Sequence, residues 1–532
     1  MIAPAYDVVV AGLGLSTAPV VEELVERTPA RILVLDRAAM WDSRKPYPFD
    51  DLQIKAWRRR HRVDYFGLDG PVSHVPRWVQ PGAGGGSIHW YGQLSRFQAS
   101  DFEMRTRFGD RLDTLGDNDM TDWPLSFQVL APHYDEVERR LSPFGHPYGW
   151  TSSDYRRLDC QYYVARQATS TLERKVIDLL HDQDVDAYIG QTCLGGRRWE
   201  NMPVDPQTLL EGGLPLQIRT NWYDRIVRLA ATSDRLTLLG GHELVDIVGS
   251  REGVEAVRAR TKRNPVTFET ALCVIGLSPI ESVGLLARSG VATTTPLLGR
   301  GFTSALQGKC YVTLDSPLDR STDGEKIGRF SNIVVKDYYS FEEGPLCKLG
   351  KFSIYDAHNI EEPPTSTLPP RLSALKISFK GESIAWSGKR LSFHDGEMRL
   401  TYEPHPHDVL VAEHLPPFFE RLARCLGGRV IHAATPASLT SVNAHQHGGA
   451  CFGDDQNPDS VLNEQCEVRS LPGVYVVDAS SMPTSGATNV SHTMMANALR
   501  VASVIVARLG AQLRSHSDSG ELRHGEPNES VD

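Results

Sequence analysis

Short apolar runs bounded by glycine mark both ends of the chain. Residues 7–11 (Asp7-Val8-Val9-Val10-Ala11) and 31–36 (Arg31 to Asp36) read as buried parallel strands. Between them, residues 18–27 repeat apolar side chains at helical spacing, which makes a β-α-β unit. Residues 271–276 form another buried strand, running into Ser278-Pro279-Ile280-Glu281-Ser282 and an apolar helix with Leu285 and Leu286. A further strand, 474–477, ends on Asp478. Residues 243–248 and 254–257 read as a strand pair joined through Gly253. The middle of the chain carries mixed strand signals at 333–335, 375–379 and 400–402. Helical spacing returns over 409–425, and an amphipathic helix is expected around Tyr134 and Glu138. Residues 160–222 are harder to read, apart from a helix over 172–180. The last helix follows Asn489 and runs to Arg500.

Composition narrows the class. A chain of 532 residues exceeds one simple core, so two or more domains are expected. Net charge is −10, which argues against a nucleic-acid surface. The eight cysteines show neither CxxC spacing nor a zinc pattern, and reduced thiols in a cytoplasmic protein are the expectation. The N-terminus lacks a charged segment followed by an apolar one, and no uninterrupted apolar run reaches bilayer length; neither a signal peptide nor a membrane span is expected. The tail from Arg514 is polar and charged, and is expected to be disordered.

Candidate chemistry sits at the turns. Gly12 and Gly14 permit a tight turn and a close approach of a pyrophosphate to the helix N-terminus, and Asp36 is placed to accept from a ribose hydroxyl. The third glycine of that motif is replaced by Thr17, which weakens it against an ordinary parallel-sheet turn. The glycine-dense loop 81–86 runs into Ser87, His89, Trp90 and Tyr91, a loop able to wrap on a ligand. The basic run 55–62 reads chiefly as a solvated face, with a role beside an anionic group as the alternative. Near the C-terminus, His445-Gln446-His447-Gly448-Gly449 puts a histidine in a glycine-flanked turn, and Asn489 opens a helix. That layout can place a base that works near neutral pH and a hydrogen-bond partner beside one reacting atom.

These phrases resemble the glucose–methanol–choline (GMC) oxidoreductases, FAD-dependent enzymes that oxidise alcohols. The Gly86-Ser87-x-His89-Trp90 phrase is similar to the flavin loop of the pyranose-oxidase-like branch. Trp123-Pro124 with Tyr134 and Glu138, and the strand and helix carrying Ile280-Glu281-Ser282, also match. The resemblance implies a fold of α/β class. It has a Rossmann-like FAD-binding domain and a substrate domain with a mixed or antiparallel sheet and helices. By residue number, the FAD domain takes 1–130, 201–300 and 441–512, the substrate domain 131–200 and 301–440, and the tail 513–532.

By the same resemblance, His445 is the base and Asn489 its partner, with His447 as a competitor and His492 as a packed helix residue. Phe452 stands where the family has methionine, and Val490 where it has proline. Gly12, Gly14, Thr17, Asp36, Gly86, Ser87, His89, Trp90, Leu244, Asp478, Ala479, Asn489 and Val490 are expected at the FAD. A covalent bond from His89 to the flavin is the less favoured of two readings. No metal site is expected. Trp386, Tyr402, His405 and His407 could face substrate, but structural roles are favoured. The expected reaction oxidises an alcohol of a sugar, glycoside or sugar-like natural product, with hydride to flavin N5 and the proton to His445, and with oxygen or another acceptor closing the cycle. The rivals are a flavin-dependent lyase or isomerase on the same fold and a non-catalytic flavoprotein.

Overall fold

The computed structural model describes residues 6–42, 51–78, 80–88, 90, 92–141, 171–193, 222–262, 264–318, 332–356 and 373–521. Five parallel strands build the first sheet, in the order Val474–Val476, Cys273–Ile275, Val8–Ala11, Ile32–Asp36, Leu236–Gly240. The first four are apolar on both faces and almost wholly buried, as a parallel sheet covered by helices requires. Helix Thr17–Arg27 packs against helix Ser491–Glu521, and both share one large core with the sheet. Residues 491–511 are long and apolar enough to cross a bilayer by composition, yet half of that stretch is buried inside the molecule. An antiparallel sheet of Glu243–Ser250, Gly253–Arg260 and Pro265–Glu269 flanks this unit.

The second sheet is antiparallel throughout, in the order Gly428–Ala433, Leu306–Leu314, Ala374–Gly381, Lys351–Asp356, Ile333–Val335, Ala187–Ile189. Its central strands alternate apolar and polar positions. Leu375, Ile377, Phe379, Phe352, Ile354, Cys310 and Val312 form one face, buried in a core shared with helices Pro406–Cys425 and Thr171–His181. Each such side chain contributes about 1.5–3 kcal/mol on leaving water. The intervening positions carry Lys376, Ser378 and Lys380, with Lys351, Ser353 and Tyr355 beside them in register. A sheet greasy on one side and cationic on the other can close a polar cavity.

Two segments depart from the domain boundaries expected from sequence. Helix Phe127–Leu141 buries its apolar stripe in the first core, against the last helix. Strands Lys389–His394 and Glu397–Tyr402 join Arg62–Gly67 and Gly70–Pro76 in a four-stranded sheet, with Leu391, Met398, Leu400 and Tyr402 in that same core. Both pairings are long-range, so no local pattern announces them. The last helix continues to Glu521, into the stretch read as tail.

Candidate active site

One cavity of 840 Å³ runs from the glycine turn of the first sheet to the polar face of the second. At its first end, Gly12 has φ +85° and lies against the Gly276 carbonyl, so no side chain fits there. Asp36 lines the cavity while accepting from the amides of Leu13 (3.0 Å) and Ala38 (2.8 Å), and burial raises its pKa. Thr17, expected at the cofactor, does not line the cavity. Its hydroxyl donates to the Gly12 carbonyl (2.8 Å) and accepts from the Gly14 amide (3.1 Å), locking the turn from behind. Ser87 is likewise buried away from the cavity, donating to the Gly84 carbonyl at 2.6 Å. Gly14, Gly86, Trp90, Leu244, Asp478, Ala479, Asn489 and Val490 do line it. His89 lies outside the described residues. Arg58, from the basic run, reaches the cavity with its guanidinium 4.9 Å from the Trp78 ring centre.

Asp478 shows how the C-terminal segment is bolted to the sheet. One carboxylate oxygen accepts from the Ser278 amide (2.9 Å) and the Ser282 hydroxyl; the other accepts from the amide and hydroxyl of Ser480. The turn carrying His445 is held as tightly. Gly448 has φ +73° and abuts the Gly301 carbonyl, and its amide donates to Ala479. Phe452 fills the methionine position and meets the Trp123 ring edge-on at 5.3 Å, while the Trp123 indole donates to Thr484 (2.7 Å).

His445 lines the cavity and His447 does not. The Asn443 carboxamide donates to the Ala305 carbonyl (2.8 Å), so its oxygen faces His445, accepting from the backbone amide (2.9 Å) and lying 3.3 Å from Nδ1. That contact favours the tautomer with the proton on Nδ1 and the lone pair on Nε2. Lys380 places its Nζ 2.7 Å from Nε2 and 3.3 Å from Nδ1. Burial first, then the charges of Lys380 and Lys351, hold the His445 pKa well below the ordinary imidazole value. His447 sits in a short strand against Thr303, and burial with the Lys389 charge pushes it down to about 3.

Asn489 precedes the last helix by two residues; the first helical hydrogen bond starts from the Val490 carbonyl, so Val490 and not Asn489 stands at the cap. The Asn489 Oδ1 accepts from Lys351 (3.2 Å), which also donates to Ser95 (2.8 Å), and burial pulls the Lys351 ammonium down to about 7. His492 packs edge-on against Tyr134 and 3.6 Å from Glu138, inside the core. Trp386, Tyr402, His405 and His407 are absent from the cavity wall. The first two donate to the carbonyls of Glu403 and Ser304, His405 caps helix Pro406–Cys425, and His407 accepts from the Cys347 amide. Sequence reading missed Lys351 and Lys380; their signal is the alternation of lysine with apolar residues in two strands that pair in register.

Residues 426–498 match the GMC oxidoreductase family description. The chain is 32% identical over 549 residues to the 2-methyl-1,2-propanediol dehydrogenase of Mycolicibacterium austroafricanum, covering 94% of this chain and 95% of that protein. The chain therefore belongs to the GMC oxidoreductase family, and is an FAD-dependent enzyme acting on CH–OH donors. It is also 26% identical to the paromamine 6'-oxidase of Streptomyces fradiae, over 96% of this chain and 93% of that one. Among solved structures, a formate oxidase variant from Aspergillus oryzae RIB40 superposes with a TM-score of 0.65 at 11% identity, over 96% and 99% of the two chains. Pyridoxine 4-oxidase from Mesorbium loti gives 0.60 at 16%, over 93% and 98%.

The cavity fits FAD on its own terms. A Cβ on Gly14 or Gly86 would meet no atom within 4 Å, so both leave room on the cavity wall. Trp78 Nε1, Gln80 Oε1, Trp90 Nε1 and Gln446 Nε2 belong to cavity-lining residues, and among the described residues these buried atoms find no hydrogen-bond partner. Buried polar atoms of this kind call for a polar ligand.

Proposed function

We propose that the protein oxidises a primary or secondary alcohol of a sugar, glycoside or sugar-like molecule to the carbonyl, with His445 as base and Asn489 as its partner. The observation that carries this reading is that both side chains line the cavity wall shared with Gly14, Gly86 and Asp478. Bound FAD supplies the acceptor for the hydride that leaves the alcohol carbon. The protein supplies the rest. The Nε2 lone pair of His445 takes the hydroxyl proton, since Asn443 occupies Nδ1. Because Lys351 holds the Asn489 oxygen, the Asn489 NH2 is the end left to face the alcohol oxygen, and it donates there. Holding oxygen and carbon in one orientation turns proton and hydride removal into reactions within one complex.

The sugar-like substrate is supported by the two aminoglycoside-named relatives, paromamine 6'-oxidase and the 6'''-hydroxyparomomycin C oxidase of Streptomyces lividus. It is also supported by the polar wall of Gln307, Ser378, Tyr355, Ser438 and Asn443, which can exchange hydrogen bonds with several hydroxyls. The test is anaerobic mixing of the yellow protein with polyols, sugars, glycosides and simple diols. Bleaching by a sugar or glycoside, with the carbonyl product recovered in equal amount, supports the reading. Bleaching by simple diols alone overturns the sugar assignment, and product formation without bleaching favours a lyase or isomerase.

A further inference from the structure

Two lysines that no sequence motif marked hold the two members of the proposed catalytic pair. Lys351 and Lys380 lie directly opposite each other on neighbouring antiparallel strands. Lys380 contacts Nε2 of His445 at 2.7 Å, and Lys351 donates to Oδ1 of Asn489 at 3.2 Å. One cross-strand pair thus reaches over to both the turn at residue 445 and the segment at residue 489 that leads into the last helix. We propose that Lys351 and Lys380 act as a paired device for the alcohol oxidation: Lys380, lying beside both ring nitrogens of His445, stabilises the negative charge on the alcohol oxygen once the alcohol is seated at Nε2, while Lys351 fixes the Asn489 carboxamide with its NH2 toward that oxygen. The inference rests on the assignment of His445 and Asn489 above.

The chemistry has a specific need for such charges. Proton transfer from the alcohol breaks the O–H bond and forms N–H on Nε2, leaving an alkoxide beside an imidazolium. A buried imidazolium is costly, and burial already holds His445 neutral. Positive charge placed by the oxygen offsets that cost on the anionic side of the ion pair, and does so only as the charge develops. The groups bearing charge toward His445 come from the second sheet: Lys380 and Lys351 nearest, with Lys309 and Lys376 farther along the same cavity wall. Asn443 on its own turn and Asn489 with Ser491 on the helix side are neutral. Of the acids that line the same cavity, Asp36, Glu243, Glu281 and Asp478, the last is engaged by Ser278, Ser282 and Ser480.

The test uses FAD-loaded protein with ring-labelled histidine, the His445 resonance being the one absent in His445→Gln. Its titration is followed without substrate in wild type, Lys380→Met, Lys380→Arg and Lys351→Met. The same samples are mixed anaerobically with substrate to read the rate of flavin bleaching against pH. Lys380→Met is expected to raise the His445 titration by about one unit or more and to lower the plateau rate by roughly tenfold or more. Lys380→Arg keeps most of both values. Lys351→Met lowers the rate with a smaller change in the titration, because it acts through Asn489. An unmoved His445 titration in Lys380→Met, or an unchanged plateau rate, overturns the proposal; because the titration needs no turnover, it reads even a poorly active variant. If instead His445→Gln bleaches at the wild-type rate, the assignment of the base fails, and that outcome is separate from the lysine result.

Discussion

The side chain of Thr17 occupies the space that a side chain on residue 276 would need. A Cβ built on Gly276 would collide with the Thr17 methyl and the Ser16 hydroxyl. The close helix-to-strand packing that the motif's third glycine usually grants is therefore granted by Gly276 from the neighbouring strand, and Thr17 adds two hydrogen bonds to the turn. Gly276→Ala is expected to cost about 1–3 kcal/mol by overpacking. A lowered melting temperature in Gly276→Ala, partly recovered in the double variant with Thr17→Gly, checks it; an unchanged melting temperature contradicts it.

Gly14 separates cofactor binding from folding. A methyl there meets no protein atom within 4 Å and lies on the cavity wall. Gly14→Ala should leave the melting temperature of FAD-free protein close to that of the wild type. It should weaken FAD binding by roughly tenfold or more, about 1.4 kcal/mol, measured by titrating FAD into apoprotein.

Glu382 holds the segment that leads into Asn489. Its carboxylate accepts from the amide (2.8 Å) and hydroxyl (3.0 Å) of Ser485 and from the amide of Ala487 (3.1 Å), whose φ is +51°. Tyr339 donates to the Gly486 carbonyl in the same turn. Glu382 is buried near the Lys348 ammonium, which burial pulls down to about 7. Glu382→Ala leaves two buried amides without an acceptor and should destabilise the protein by about 3 kcal/mol. Denaturant unfolding measures this, and the bleaching rate should fall with it because Asn489 loses its support.

Acid should act on stability through His447. Its folded pKa of about 3 lies below the unfolded value of about 6.5. Between those two values the unfolded chain binds a proton that the folded chain does not. The stability His447 contributes is thus full above about pH 6.5 and is lost progressively as pH falls toward about 3. In His447→Asn this dependence is absent, so the melting-temperature advantage of wild type over variant should shrink from pH 7.5 to pH 4.5. An advantage that grows on acidification would contradict the sign.

Much of the fold could be read because its signals are local. The runs around Val8–Ala11, Ile32–Asp36 and Cys273–Ile275 are continuous and apolar, and the hairpin through Gly253 is short. His445 and Asn489 stood out for a similar reason, each beside a turn. Lys351 and Lys380 did not, because a lysine alternating with Phe352, Ile377 or Phe379 looks like the wet face of an edge-exposed strand. Only the pairing of strands distant in sequence shows that this face closes a cavity. Thr17 and Ser87 were expected at the cofactor from their motif positions; in the structure each hydrogen-bonds its own turn. The strands around Leu391 and Leu400 crossed an expected domain boundary because the second of them pairs with Arg62–Gly67, more than three hundred residues earlier.

The central claim is that His445 takes the alcohol proton while FAD remains bound independently of it. Rapid anaerobic mixing of FAD-loaded His445→Ala with a substrate of the wild-type enzyme tests it most directly. The account predicts that the yellow colour and FAD content are retained and that bleaching slows by roughly a hundredfold or more, the contribution of a general base. Bleaching at the wild-type rate by fully FAD-loaded His445→Ala would contradict it.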